Sequence, residues 1–177
     1  MKSFKKANFQ LYEKFKQDLE LLYINTFTKG LSAQHISKKE AEKYLSEIFN
    51  NGYGMFGFDN NQLISALLAT PPSFDFERPE HLKKKYPDEN SLYIAEVLVH
   101  ENYRKQGLGQ KLMQLFEDNL HPGMQHILLR VWKENTPAVA LYEKMGFEIC
   151  GEITQEKIRP NSKEKFIMHK NYMIKSY

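Results

Sequence analysis

A short basic segment with two glycines lies between an apolar run and an amphipathic stretch, and it reads Arg104-Lys105-Gln106-Gly107-Leu108-Gly109-Gln110. Glycine at 107 and 109 removes side chains where the backbone turns, so successive N–H groups can face one point. That point lies at a predicted helix N-terminus, whose partial positive charge favours an anion. Arg104 and Lys105 add positive charge beside it, so the segment predicts a cradle for a pyrophosphate.

Three known sequence patterns of phosphate-binding loops can be compared with this segment. The nucleoside triphosphate loop needs Gly-Lys-Ser/Thr, but Gly109 is followed by Gln110-Lys111-Leu112, which excludes it. The dinucleotide fingerprint needs a third small residue where Leu112 stands, and a place near the start of a parallel sheet, so it is excluded as well. The pattern that fits residues 104–109 is Arg/Gln-x-x-Gly-x-Gly/Ala.

A second segment, residues 131–147, reads V-W-K-E-N-T-P-A-V-A-L-Y-E-K-M-G-F. It holds Asn135, a small residue three positions later, and then Leu-Tyr-Glu-Lys-x-Gly-Phe. Together the two segments resemble the acetyl-CoA site of the GNAT superfamily of N-acetyltransferases, over about residues 92–147. The resemblance implies an enzyme that moves an acetyl group from acetyl-CoA to a primary amine by direct attack in a ternary complex. A non-catalytic acyl-CoA-binding or regulatory module on the same fold is the alternative.

The resemblance also implies a role for each matching position. Main-chain groups of residues 97–99 would bind the pantetheine arm and polarise the thioester carbonyl, and the N–H groups of residues 105–110 would hold the pyrophosphate. The Asn135 amide would bind the pantetheine, and the Tyr142 hydroxyl would donate a proton or hydrogen bond to the leaving thiolate. Without the resemblance, Tyr142 would be a core aromatic. The residues expected to bind acetyl-CoA are Val97, Leu98, Val99, Arg104, Lys105, Gln106, Gly107, Leu108, Gly109, Gln110, Asn135 and Tyr142.

The reaction needs a general base, because an amine must lose a proton before it attacks, and a carboxylate can accept that proton. Glu96 lies on the strand beside the cradle, and alternation places it on the same face as Leu98. Other family members have a Glu five residues before the Asn, where this chain has Arg130. We therefore expect Glu96 to act as the base through a water molecule, with an ion pair to Arg130 as the alternative.

The acceptor is poorly determined by the sequence. Acidic side chains that could face an amine stand at Asp75, Glu77, Asp88 and Glu89, whereas Lys83-Lys84-Lys85 would oppose a polycation. The layout is somewhat similar to that of bacterial polyamine and small-amine acetyltransferases, but solvated surface charge explains these residues as well. A small-molecule amine, an amino sugar or a peptide N-terminus all stay open as the acceptor.

The elements that would position these residues follow from periodicity, caps and turn residues. Helices are predicted at residues 9–27, 37–51, 107–120 and 138–145. The second would begin at a capping box of Ser37 and Glu40, and its apolar stripe would contain Tyr44. Strands are predicted at 54–59, 62–70, 92–99, 127–132, 147–153 and 165–172, and residues 73–90 form a long loop. Asn60-Asn61 predicts a tight hairpin turn between the first two strands. Residues 1–7 are too polar to predict a strand. This order indicates an α/β fold with a mixed, mostly antiparallel central sheet of six to seven strands and helices on both faces.

Composition narrows the class of protein. With 177 residues, 41% of them hydrophobic and 27% charged, we expect one N-acetyltransferase domain over residues 1–177 rather than disorder. A net charge of +3 gives no case for nucleic-acid binding. Cys150 is the single cysteine, so disulfides and thiolate zinc sites are excluded, and the histidines lack metal spacing. The apolar runs are short, so we expect a cytoplasmic protein with no membrane contact and no metal. The resemblance leaves a homodimer open as the oligomeric state, because homodimers are common in that family.

Overall fold

The computed structural model describes residues 1–30, 32–162 and 164–177, and over these residues it has seven strands and five α-helices. The helices are α1 (Phe9–Phe27), α2 (Lys38–Asn51), α3 (Glu80–Lys85), α4 (Leu108–Asp118) and α5 (Thr136–Lys144). The strands are β1 (Lys2–Ala7), β2 (Tyr53–Asp59), β3 (Gln62–Thr70), β4 (Ser91–Val99), β5 (His126–Trp132), β6 (Glu148–Ile158) and β7 (Lys165–Ser176). Among the described helices, none has the length and apolar character needed to cross a membrane.

The strands form one sheet in the order β1-β2-β3-β4-β5-β7-β6, in which β4 and β5 are parallel and the other neighbours are antiparallel. One face of the sheet packs against α1 and α2 through buried Leu19, Leu45 and Leu98. The opposite face packs against α4 and α5 through buried Phe116 and Tyr142. The predicted fold class, a mixed and mostly antiparallel sheet covered by helices on both faces, is confirmed.

The first seven residues differ from the sequence-based expectation. They were too polar to predict a strand, yet Lys2 to Ala7 form β1 and pair with Asp59 to Gly54 of β2. Five of these six side chains are exposed or half-buried, and Ala7 alone is fully buried. Main-chain hydrogen bonds hold this edge strand, and lysines on an edge strand oppose pairing with a further chain, so its composition carries no hydrophobic signal.

Two local predictions are confirmed by the backbone geometry. Ser37 and Glu40 form the predicted capping box at the start of α2, with Ser37 N–H donating to Glu40 Oε2 at 2.8 Å and Glu40 N–H donating to Ser37 Oγ at 3.2 Å. Asn60 and Asn61 both have positive φ, 46° and 69°, as the tight turn between β2 and β3 requires.

The predicted long loop contains two short helical segments. A 3-10 turn covers Pro72–Phe74, and α3 places buried Leu82 against Tyr93 and Leu128 on the α1/α2 side of the sheet. The loop therefore forms part of the layer above the centre of the sheet, where it reaches the functional site.

The sheet opens between its two parallel strands, and this opening creates the site. β4 pairs with β5 only from Ser91↔His126 to Ile94↔Leu129. Beyond that point β4 remains paired with β3 alone, and a bulge at Ala95 shifts the register between the Leu68↔Glu96 and Ala69↔Ile94 pairs. Since a bulge bends its strand, it turns the second half of β4 away from β5 and leaves one edge of residues 95–99 unpaired with β5.

Candidate active site

A cavity of about 450 Å³ lies where β4 and β5 separate. Its walls come from α1, α2, the turn after β3, the start of α5, and the ends of β6 and β7. Of the side chains assigned a role from the sequence, those of Glu96, Val97, Asn135 and Tyr142 line it. The structure therefore brings these four residues to one cavity, although Glu96 and Tyr142 are 46 positions apart in the chain.

The turn of residues 104–110 has the backbone expected of an anion cradle. Lys105 and Gly107 adopt left-handed conformations, with φ of 60° and 76°, and Gly107 is the N-cap of α4. The first intrahelical bond is Lys111 N–H to Gly107 O, at 2.9 Å. The N–H groups of residues 108–110 therefore precede it in the first turn, where the helix offers them no acceptor of its own. This arrangement fits a pyrophosphate.

The two glycines of the motif have different roles, which corrects the expectation that both serve the turn. Gly107 alone has a positive φ, and a Cβ built on it would meet open space. A Cβ on Gly109 would lie 3.3 Å from Cδ2 of Leu141, so this glycine lets α4 approach α5 closely. The absence of a side chain at Gly109 therefore allows the first motif, on α4, to pack closely against the second motif, on α5.

The side chains of Gln106 and Arg104 stabilise the turn by hydrogen bonds to neighbouring segments. Gln106 accepts a hydrogen bond from Lys2 Nζ at 2.7 Å and donates to the Asn102 carbonyl at 3.2 Å. Arg104 Nε donates to the Val99 carbonyl at 3.3 Å. The turn is thereby joined to the end of β4, and Lys105 stays exposed beside it.

Asn135 lies at the mouth of the cavity and immediately precedes α5. Its carbonyl accepts the N–H groups of Ala138 and Val139, both at 3.0 Å, but its side chain does not cap the helix. The side chain is exposed and lines the cavity. Its amide is therefore available for a ligand, as the sequence predicts.

Tyr142 is both a core aromatic and a residue of the cavity wall. It is 8% exposed, and its ring packs 6.0 Å from that of Phe147, centroid to centroid. Burial raises the pKa of its hydroxyl well above the usual value, and the nearby Glu96 carboxylate raises it further. The hydroxyl therefore stays protonated at physiological pH and can serve as a hydrogen-bond donor.

Glu96 is half-buried, and among the described residues its hydrogen-bond donor is the Tyr44 hydroxyl, 2.9 Å from Oε1. Burial raises the pKa of Glu96 to about 7, although the bond from Tyr44 and the charges of Lys170, Arg130 and Lys157 act in the opposite direction. A carboxylate with that pKa can accept a proton near neutral pH. Tyr44, which the sequence placed only in the apolar stripe of α2, is thus part of the site.

Arg130 has partners other than Glu96. It forms ion pairs with Asp75 at 3.2 Å and Glu77 at 3.3 Å, and the Tyr172 hydroxyl donates to Asp75 at 2.7 Å. The alternative of a Glu96–Arg130 ion pair is therefore wrong. Asp75 and Glu77 line the cavity as expected of residues facing an acceptor, but these contacts already occupy them.

The remaining charged residues predicted near the acceptor lie elsewhere. Asp88 accepts a hydrogen bond from Ser73 N–H at 2.8 Å, and Lys83 pairs with Glu80 on the surface of α3. Two lysines that the sequence did not single out, Lys157 and Lys170, line the cavity instead. They are two among 25 Lys and Arg residues, and only the pairing of β6 with β7 places them here.

Comparison with known proteins identifies the family. The family model described as "Acetyltransferase (GNAT) family" matches residues 12–147. The chain belongs to this family. The resemblance seen in the two motifs is thus confirmed, since both motifs lie within the matched residues.

Curated relatives and a solved structure agree with the GNAT assignment. N-alpha-acetyltransferase 30 of Schizosaccharomyces pombe is 30% identical over 132 residues, which cover 71% of this chain and 80% of that protein. Mycothiol acetyltransferase of Corynebacterium efficiens is 35% identical over 105 residues, 53% of this chain, and the chain spans only 35% of its length. A Salmonella typhimurium protein solved with its cofactor acetyl-CoA has a TM-score of 0.71 at 12% identity, over 99% of this chain and 94% of that one, which shows the same fold.

Proposed function

We propose that this GNAT protein transfers the acetyl group of acetyl-CoA to a primary amine, by direct attack within a ternary complex. The observation that carries the proposal is the shared cavity, which is lined by Glu96 and Val97 of β4, by Asn135 and by Tyr142. We assign the edge of β4, Asn135 and Tyr142 to the donor, and Glu96 to the acceptor. A carboxylate with its pKa raised to about 7 inside a cleft is typical of a group that moves protons.

The donor would bind in an extended form between the separated strands. The turn of residues 105–110 would hold its pyrophosphate, and the edge of residues 97–99 would bind the pantetheine as an added strand. The Asn135 amide would bind the same arm at the mouth of the cavity. An N–H group of β4 would then face the thioester oxygen, where a fixed donor stabilises the charge that develops during attack.

The chemistry requires one bond to form and one to break. The amine nitrogen attacks the thioester carbonyl carbon, its N–C bond forms, and the C–S bond breaks to release the CoA thiolate. Glu96 accepts the proton that the amine loses, directly or through water. The Tyr142 hydroxyl stabilises the thiolate by a hydrogen bond, because burial raises the pKa of Tyr142 and makes complete transfer of its proton costly.

The acceptor is proposed as a small-molecule amine or a peptide amine. The relatives support both, since their printed names include an N-alpha-acetyltransferase and a mycothiol acetyltransferase. We propose residues 1–177 as one N-acetyltransferase domain, because the seven strands form a single sheet.

The test is the release of CoA thiol from acetyl-CoA in the presence of a panel of amines, with acetylated product identified by mass spectrometry. The panel should contain short peptides with free N-termini, amino sugars, polyamines and amino acids. Saturable thiol release that needs an amine supports the proposal. Tight acetyl-CoA binding without thiol release on any of these amines would instead indicate a non-catalytic acyl-CoA-binding module.

A further inference from the structure

Two lysines form the floor of the acceptor side of the cavity, and the proposed reaction does not use them. Lys170 of β7 stands opposite Trp132 of β5, in the part of β5 that has separated from β4. Lys157 of β6 lies on the same face of the sheet, since residues 153 and 170 are paired and side chains alternate along each strand. Both side chains are half-buried and line the cavity.

These two ammonium groups have no matching acceptor among the residues that the structure describes. Neither forms an ion pair within 4 Å or a hydrogen bond there, whereas the surface lysine Lys165 pairs with Glu156 at 2.8 Å. Three carboxylates that line the same cavity, Asp75, Glu77 and Glu96, already accept hydrogen bonds from other groups, and the Glu96 donor is Tyr44. Asp75 accepts from Arg130 and Tyr172, and Glu77 accepts from Arg130 and Gln155.

Burial and neighbouring positive charges disfavour the protonated forms of Lys157 and Lys170 in the absence of a ligand. Burial lowers the pKa of Lys170 to about 8, and the positive charges of Arg130 and Lys157 lower it further, although the charges of Glu96 and Glu77 act in the opposite direction. Burial also lowers the pKa of Lys157, again assisted by Arg130. A bound anion would supply both the missing acceptors and the missing charge, and it would favour the protonated form of both side chains.

We propose that the acceptor carries an anionic group, a carboxylate or a phosphate, which Lys157 and Lys170 bind while its amine faces Glu96. The inference rests on the proposed function, because it names the class of acceptor for the same cavity. Glu96 lies on β4 and the lysines lie on β6 and β7, so the amine and the anionic group would occupy opposite walls. The proposal predicts that a polycation is not the preferred acceptor.

The test compares matched acceptors in the thiol-release assay. Glycine, β-alanine and γ-aminobutyrate are assayed against their primary amides, and phosphoethanolamine is assayed against ethanolamine. In the wild type, we expect at least one anionic acceptor to exceed its neutral partner by tenfold or more in kcat/KM. In the double variant Lys157→Gln/Lys170→Gln that ratio should fall to threefold or less. Lys165→Gln is the matched control on β7, and it should keep the wild-type ratio.

Calorimetric binding of the same compounds, in the presence of CoA, separates this inference from the proposed function. Anions that bind the wild type but not the double variant, without any thiol release, would support the anionic site and reject the enzyme. Neutral amines that react as well as their anionic partners, with the double variant unaffected, would overturn the anionic site while the enzyme stands. Absence of both binding and thiol release for all of these compounds would overturn both.

Discussion

The hydroxyl of Tyr44 donates a 2.9 Å hydrogen bond to Oε1 of Glu96 and so connects α2 to β4 across the cavity. The bond counteracts the rise that burial causes in the pKa of Glu96. We therefore predict that Tyr44 is a positioning residue, which holds the Glu96 carboxylate and keeps it able to lose its proton near neutral pH.

Replacing Tyr44 by Phe should move the pH profile of the enzyme upward. The hydrogen bond stabilises the carboxylate form, so its loss raises the pKa of Glu96 by about one unit, for a bond of roughly 1–1.5 kcal/mol. The rising limb of kcat/KM, expected near pH 7 in the wild type, should shift by that amount. Tyr23→Phe is the control, because Tyr23 packs on Tyr44 at 5.5 Å, and its hydroxyl makes no hydrogen bond to Glu96. An unchanged midpoint in Tyr44→Phe would contradict the assignment.

Replacing Glu96 by Gln should abolish most activity and stabilise the fold at alkaline pH. The folded-state pKa of Glu96 is raised from 4.5 to about 7, so the folded protein binds more protons than the unfolded chain between these values. The free energy of unfolding therefore falls as pH rises from about 4.5 to 7. At pH 8 the variant should be more stable than the wild type by roughly 2–3 kcal/mol, and the difference should disappear near pH 4. Urea unfolding at both pH values measures it; equal stability at pH 8 would show that Glu96 is solvated.

Replacing Tyr142 by Phe should lower turnover and leave donor binding intact. The ring keeps its packing, whereas the hydrogen bond to the leaving thiolate is lost, so kcat should fall about 10²-fold or more. The Kd of acetyl-CoA should stay within about threefold of the wild type, because the ground-state thioester gains little from this hydroxyl. Tyr53→Phe, which removes a hydroxyl outside the cavity, is the matched control. Equal losses in kcat and in affinity would count against the assigned role of Tyr142.

Replacing Gly107 by Glu should prevent acetyl-CoA binding through its charge rather than its size. Gly107 has φ of 76°, so any L side chain there costs about 1–2 kcal/mol, but a Cβ would meet open space. Gly107→Gln carries the same conformational cost without the charge, so it is the control. We expect the Glu variant to bind acetyl-CoA at least tenfold more weakly than the Gln variant in calorimetry. Equal affinities would mean that no phosphate lies at this turn.

Replacing Asn135 by Ala should weaken acetyl-CoA binding without destabilising α5. Its side chain makes no cap bond, so the usual loss of about 1 kcal/mol for an N-cap should be absent in urea unfolding of the free protein. Ser37→Ala should give the opposite result, because Ser37 caps α2 and is not among the residues that line the cavity. It should lose about 1 kcal/mol of stability and keep its affinity for acetyl-CoA. A stability loss in Asn135→Ala equal to that of Ser37→Ala would indicate a structural role.

The sequence by itself determined the features that depend on short stretches of chain. The capping box of Ser37 and Glu40, the turn at Asn60-Asn61 and the left-handed Gly107 follow from backbone preferences of a few adjacent residues. The two motifs likewise predicted the family and the positions of Asn135 and Tyr142, because their spacing is fixed within one strand–helix unit.

Only the tertiary structure decided which side chains share the cavity. The hydrogen bond from Tyr44 to Glu96 joins residues 52 positions apart, and the ion pair of Asp75 with Arg130 joins residues 55 apart. The presence of Lys157 and Lys170 on the floor depends on the register of β7 with its two neighbours. Such contacts arise from strand pairing and from packing between distant segments, which no local preference encodes. For the same reason β1, held by pairing with β2 rather than by burial, could not be predicted from its polar residues.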